Sequence, residues 1–140
     1  MGKRYEFKLG KKGVELLMAD LITSQVAWRV GRCERIHISR IFEASHVGAA
    51  LCRRGLKHRH LIPAFEGAAR VCEAIHARCC NRPGWYDVSQ SEMEAIEHAM
   101  DLLQELYKIT LASEVLKVLV AQKARLGLKN SESGMKIHAP

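Results

Sequence analysis

The sequence contains no apolar run near the roughly 20 residues that cross a bilayer, which excludes a membrane-spanning helix. Its first residues, MGKRYEFKLGKKG, lack the apolar core of a secretory leader. Three prolines among 140 residues are too few for an extended or disordered chain. Aromatic residues are only 6% of the chain, so base-stacking surfaces are thinly supplied. No CxxC knuckle, HExxH pair, phosphate-binding glycine loop or dinucleotide-binding glycine pattern occurs, and no zinc finger, RNP motif or basic zipper. The common nucleotide and metalloprotease chemistries therefore have no support, and no cofactor is implied.

Five cysteines are present, Cys33, Cys52, Cys72, Cys79 and Cys80. Their odd number and their place inside apolar, helix-like stretches argue against a secreted disulfide framework. The expectation is free thiols in a reducing, cytoplasmic setting.

Apolar residues make up 48% of the chain and charged residues 26%, ordinary values for one globular domain. Net charge is +7, unevenly spread. Residues 1–82 hold 16 Lys/Arg against 7 Asp/Glu, and residues 83–140 hold 6 against 8. A surface of one sign over more than half the chain attracts polyanions, acidic proteins or anionic membranes.

Periodicity predicts an all-α antiparallel bundle of four to five helices over residues 12–127. A short N-terminal arm or strand is expected over residues 1–11 and a flexible tail over 128–140. Residues 4–9 alternate polar and apolar at the strand period, and one short strand builds no sheet, so an arm is the favoured reading. The first helix starts near Lys12, with Val14, Leu17, Met18, Leu21, Ile22 and Trp28 assigned to its core face and Gly31 at its end. The second covers Cys33 to Arg54 with Ile38, Ile41, Phe42, Ser45, Ala49 and Cys52 inward. Pro63 suits the first turn of the third. That helix carries Phe65, Ala68, Cys72, Ile75 and Cys79 at steps of 3, 4, 3, 4, and Gly67, Ala68 and Ala69 would permit a close helix contact. Ser89 with Glu92 forms a capping box ahead of a pattern running to about Leu126, with Gly127 as its stop. The stripe there reads Met93, Ile96, Met100, Leu103, Leu106, Ile109, Leu116, Val120. One unbroken helix of that length would be about 55 Å long, so a break near the β-branched Thr110 is expected.

Candidate sites are few. Cys33 with His37, and Cys72 with His76, are i, i+4 pairs that two facing helices would join into a tetrahedral metal site. The seam position of Cys72 argues for a small buried hydrophobe instead. Cys79 and Cys80 have Arg78 and Arg82 nearby, which lowers a thiol pKa, but no family signature surrounds them. Glu94, Glu97, Asp101 and Glu105 line one helix face, best read as a solvated stripe. Glu73-x-x-His76 matches half of a di-iron ligand set, and the second half is missing.

The basic residues carry the leading expectation: a non-enzymatic accessory or regulatory factor contacting nucleic acid through Arg29, Arg32, Arg35, Arg53, Arg54, Lys57 and Arg59. Arginine offers a bidentate fork to phosphate, and RRGLKHRH is the densest segment. The competing expectation is a helical adaptor or inhibitor docking on an acidic protein partner. A homo-oligomer is expected as well, because Leu111, Val115, Val118 and Leu119 place apolar residues on several sides of one helix.

Overall fold

The computed structural model describes residues 7–133, with side chains through Arg125. Within them lie five α-helices: α1 (Lys11–Arg29), α2 (Arg35–Arg53), α3 (Ile62–Cys79), α4 (Gln90–Ile109) and α5 (Ala112–Ser133). A single 3-10 turn, Arg59–Leu61, leads into α3. The chain is all-α among the described residues, as the periodicity predicts. No described helix is long and apolar enough to cross a membrane.

The central element is α2, which packs against α1, α3, α4 and α5. Its sequence explains why. Ile38, Ile41 and Phe42 supply bulk, while Ala44, Ser45, Gly48 and Ala49 are small, and all are buried. A helix buried on most of its circumference must keep some faces thin so that several neighbours can approach. The Ser45 hydroxyl costs little there because it donates to the Ile41 carbonyl at 2.8 Å. The stretch from Ile38 to Arg54 contains no helix-turn-helix break: α2 runs unbroken past Ser45 and His46.

The most extensive helix contact is between α2 and α3, and Gly48 lies in it. A Cβ there would overlap the ring of Phe65 on α3, which is wholly buried. Ala68 and Ala69 on α3 are buried as expected, but Gly67 faces open space with only the Arg70 guanidinium 4.0 Å away. The small residue that sets the contact is thus on α2. The α3 seam Phe65, Ala68, Cys72, Ile75, Cys79 is buried in full.

The long C-terminal pattern does break. Thr110 adopts an extended conformation (φ −95°, ψ 141°), with its hydroxyl and N–H both turned back to the Leu106 carbonyl. The break resets the helical phase. Ile96, Met100, Leu103 and Leu106 face the core on α4, whereas α5 buries Ala112, Val115 and Val118 and packs on α2. The expectation that Ile109, Leu116 and Val120 continue the stripe is corrected: they are 46%, 58% and 70% exposed. α5 also runs through Gly127 to Ser133, so that glycine does not end it, and the expected tail shares its first residues with the helix. Residues 134–140 lie outside the described residues.

At the break the N-terminal segment is tied down. Lys8 forms an isolated antiparallel bridge with Leu111, and the Phe7 carbonyl accepts the Ala112 N–H at 2.8 Å. That N–H belongs to the first turn of α5, one of the donors a helix leaves unpaired. The alternation read over residues 4–9 therefore produces one bridge at Lys8 and no strand among the described residues; residues 4–6 lie outside them.

Two capping boxes start helices. Ser89 Oγ accepts the Glu92 N–H at 3.3 Å while Glu92 returns to the Ser89 N–H at 2.9 Å, as the sequence predicts. At α2 the box is Glu34 with His37, whose Nδ1 accepts the Glu34 N–H at 2.8 Å. The α1–α2 turn uses Gly31 at φ +74°, a conformation that strains any residue with a Cβ.

Candidate functional site

The seven basic residues singled out from the sequence do not form one surface. Arg29, Arg32 and Arg35 lie at the α1–α2 turn, while Arg53, Arg54, Lys57 and Arg59 lie beyond the other end of α2. α2 has 19 residues, so about 27 Å separates the two groups along its axis.

Most of these arginines have work inside the bundle. Arg29 Nε bonds Glu97 Oε2 at 2.8 Å and joins α1 to α4. Arg53 pairs with Glu66 and joins α2 to α3. Arg54 forks onto Glu114, with Nε–Oε1 at 3.1 Å and Nη2–Oε2 at 3.0 Å, and joins α2 to α5. Arg59 Nε donates to the Gly55 carbonyl at 3.0 Å just past the end of α2. Arg35 Nε reaches the Tyr86 hydroxyl at 3.5 Å. Arg32 and Lys57 are exposed. Arg78, which sequence reasoning placed near the thiols, forks instead onto Glu92 at 2.8 and 2.9 Å and reaches the Asp87 carbonyl. It thereby joins α3 to the cap of α4, and its guanidinium holds the Glu92 carboxyl below the usual range. The acidic helix face is used the same way: the Arg29 guanidinium lowers Glu97.

Four of the five thiols are buried and Cys80 is half-buried. Cys33 and Cys72 are fully buried and Cys79 nearly so. Burial pushes the Cys33 thiol up to about 12, and Cys72 is raised for the same reason. The facing of the two pairs is half realised. Cys72 lies near enough to Cys33 to feel its charge, but the histidines turn elsewhere. His37 caps α2, and His76 Nδ1 lies 3.0 Å from the Tyr86 hydroxyl. Among the described residues no group of three or more Cys, His, Asp or Glu side chains is placed to hold a metal ion. Cys79 Sγ instead accepts Arg82 Nη2 at 3.2 Å and the Asp87 N–H at 3.4 Å, pinning the α3–α4 turn.

One place gathers cations around a concavity. Between the end of α2 and the α4–α5 break is a cleft of about 400 Å³, lined by Lys8, Arg54, Lys57 and His58 together with Ile109 and Glu114. Three chain segments meet there, because the Lys8–Leu111 bridge brings the N-terminal segment to the break. Lys8 comes from a different basic segment of the sequence than Arg54, Lys57 and His58, and its pairing with Leu111 brings it to them. Glu114 is the one carboxylate in the lining, and it is held by Arg54. The first turn of α5 opens beside the cleft, and the positive end of its dipole adds to the field.

Set against known proteins, the chain matches no family model, no curated protein and no solved structure.

Proposed function

We propose that the protein is a non-enzymatic helical-bundle factor that contacts nucleic acid through the basic cleft at the α2–α5 end. The observation that carries this reading is the convergence of Lys8, Arg54, Lys57 and His58 on one concavity. Cations drawn from separate segments to one site bind a phosphate backbone better than the same charges spread over a helix. Arg53 and Arg59 do not line this cleft: Arg53 is paired with Glu66 and Arg59 with the Gly55 carbonyl. Arg29, Arg32 and Arg35, at the far end of α2, belong to a separate surface and are not part of this contact.

The assay is anisotropy of labelled random-sequence DNA and RNA against reduced protein across a salt series. Binding with a steep log–log salt slope supports the reading. Exchanging Lys8 and Lys57 for glutamate removes two phosphate contacts, which lowers the slope by about 1.8 and weakens all sequences alike. Unchanged affinity in that double variant rejects the cleft.

A second reading has its own observation. Leu56 is 83% exposed, and Ile109 lines the cleft at 46% exposure. An exposed leucine next in sequence to the lining residues Gly55 and Lys57, together with Ile109 in the lining, suits an acidic protein partner, with charge steering the encounter and apolar burial holding it. Leu56→Ser separates the two: it weakens a protein complex and leaves a phosphate contact intact.

A further inference from the structure

Among the described residues, α1 and α5 both pack on α2, but neither packs extensively on the other. A groove of about 360 Å³ lies between them. Leu17 and Leu21 of α1, Ala44 and Val47 of α2 and Leu119 of α5 make its apolar wall. Each helix contributes residues three or four apart, so one face of each turns to the groove. Small-molecule sites occupy roughly 300–1,000 Å³ and often lie between the helices of a bundle, walled by apolar groups with a few polar ones. Tyr107 reaches the same groove from α4. It is 3% exposed, and burial is the sole cause that raises its pKa, with no hydrogen bond contributing. Among the described residues none bonds its hydroxyl. Nor is that hydroxyl sealed in the core: the one fully enclosed side-chain polar atom without a partner among the described residues is Trp28 Nε1. The Tyr107 hydroxyl therefore opens into the groove that the residue lines. A buried tyrosine hydroxyl ordinarily has a hydrogen-bond partner, and here the space for one is the groove.

The charged groups in the lining narrow the ligand class. Asp20 and Glu43 stand against Arg40 and Lys123, two carboxylates and two cations. Balanced charges give no net field to draw an ion. Gln122, the other polar group of the lining, has its carbonyl oxygen taken by Arg125 at 2.8 Å. That leaves the phenolic O–H as a donor set among apolar side chains, and the group it fits is an acceptor. The simplest uncharged acceptor on an apolar frame is a carbonyl oxygen. We propose that the groove between α1, α2 and α5 binds an uncharged, largely apolar small molecule whose carbonyl oxygen accepts a hydrogen bond from Tyr107. The site shares no lining residue with the basic cleft, so it stands or falls independently of nucleic-acid contact.

The test titrates the full reduced chain with acetophenone, an aromatic ketone, and with toluene, which lacks the oxygen, followed by methyl NMR spectra. The expected result is a saturable shift of the Leu17, Leu21, Ala44 and Val47 methyl signals with both probes. Tyr107→Phe weakens acetophenone roughly 3- to 10-fold, the worth of one net hydrogen bond, and leaves toluene unchanged. Its thermal midpoint stays at the parent value, because the hydroxyl has no internal bond to lose. Leu119→Trp fills the groove from a half-buried position on α5 and abolishes the shifts with both probes. No saturable shift at those methyls overturns the site. Equal acetophenone affinity in the parent and in Tyr107→Phe overturns the assigned hydrogen bond. Shifts that survive Leu119→Trp mean that the probes bind elsewhere, and they overturn the proposal as well.

Discussion

Gly48→Ala isolates the contact on which the bundle is built. In an exposed helix this change is favourable by about 1 kcal/mol, since alanine is the better helix former. At Gly48 the new Cβ would lie 2.7 Å from Cζ of Phe65 and nearer still to Cδ1 and Cε1. Ordinary carbon contacts need about 3.5–4.0 Å, so α2 and α3 must part by about 1 Å or the ring must leave its rotamer. The ring is wholly buried, so any turn displaces its neighbours. Over-packing of this kind costs about 1–3 kcal/mol, occasionally more, and the overlap involves three ring atoms, so the upper end applies. After the propensity gain the net loss is about 2 kcal/mol, or about 6 °C in Tm for a chain of this length. Urea denaturation followed by far-ultraviolet circular dichroism measures it. Gly67→Ala is the internal control, because its Cβ meets only the tip of Arg70 at 4.0 Å. That variant gains about 0.5–1 kcal/mol. Phe65→Leu in the Gly48→Ala background recovers part of the loss by removing ring atoms. A Gly48→Ala chain as stable as the parent would refute the account of the α2–α3 contact.

The remaining predictions concern charge and pH. Burial lowers the pKa of His76, with Arg35 adding to it, and His37 is lowered the same way. A depressed histidine binds fewer protons folded than unfolded, so stability is complete above the unfolded value of about 6.5 and falls as pH drops through the folded values. His76→Gln should flatten the pH dependence of Tm below about 6.5, and an unchanged slope would show that His76 is not the titrating group. Glu92 is lowered chiefly by Arg78. Its contribution is present above the unfolded carboxyl value of about 4.3 and is lost as pH falls through its folded value. Glu92→Gln should therefore cost stability at pH 7 by about 1 kcal/mol, through the cap and the fork together, and cost little near pH 2; equal losses at both pH values would refute the linkage. Glu114→Gln frees the Arg54 fork in the cleft. It should tighten binding to random-sequence nucleic acid and steepen the salt slope, whereas weaker binding would mean that Glu114 itself makes the contact.

Much of the fold is legible in the sequence because burial leaves a local record. The α3 seam, the inward residues of α2, Pro63 in the first turn of α3 and the Ser89–Glu92 box all depend on positions within a few turns of one another. Their spacing carries the answer before any neighbour is known. The break at Thr110 was readable for a similar reason, since β-branched residues weaken a helix that is already too long for its domain. The new phase after the break was not readable. Once Thr110 adopts an extended conformation, the face of α5 is chosen by the direction of approach to α2, which no local period encodes. Ile22 shows the same limit. It sits at the edge of the α1 core face, beside the buried Val14, Met18, Leu21 and Trp28, and how far the neighbouring helices reach around that face leaves it 50% exposed.

The candidate site divides along the same line. Charge asymmetry and the density of RRGLKHRH are properties of the sequence itself, because net charge does not depend on packing. What became of those charges was decided by the tertiary structure. It sent Arg29, Arg53 and Arg54 to carboxylates on other helices, and placed the seven selected residues at opposite ends of α2. It also drew Lys8 into the cleft through a single backbone bridge to Leu111. A guanidinium is recruited by whichever carboxylate folding brings within reach, and Glu97, Glu66 and Glu114 lie 13 to 68 residues away in sequence. The sequence by itself thus determined the helices, the thiols' apolar positions and the sign of the surface. The tertiary structure alone decided which charges are spent on joining helices and which converge on a cleft, because pairing across such separations depends on topology and not on local order.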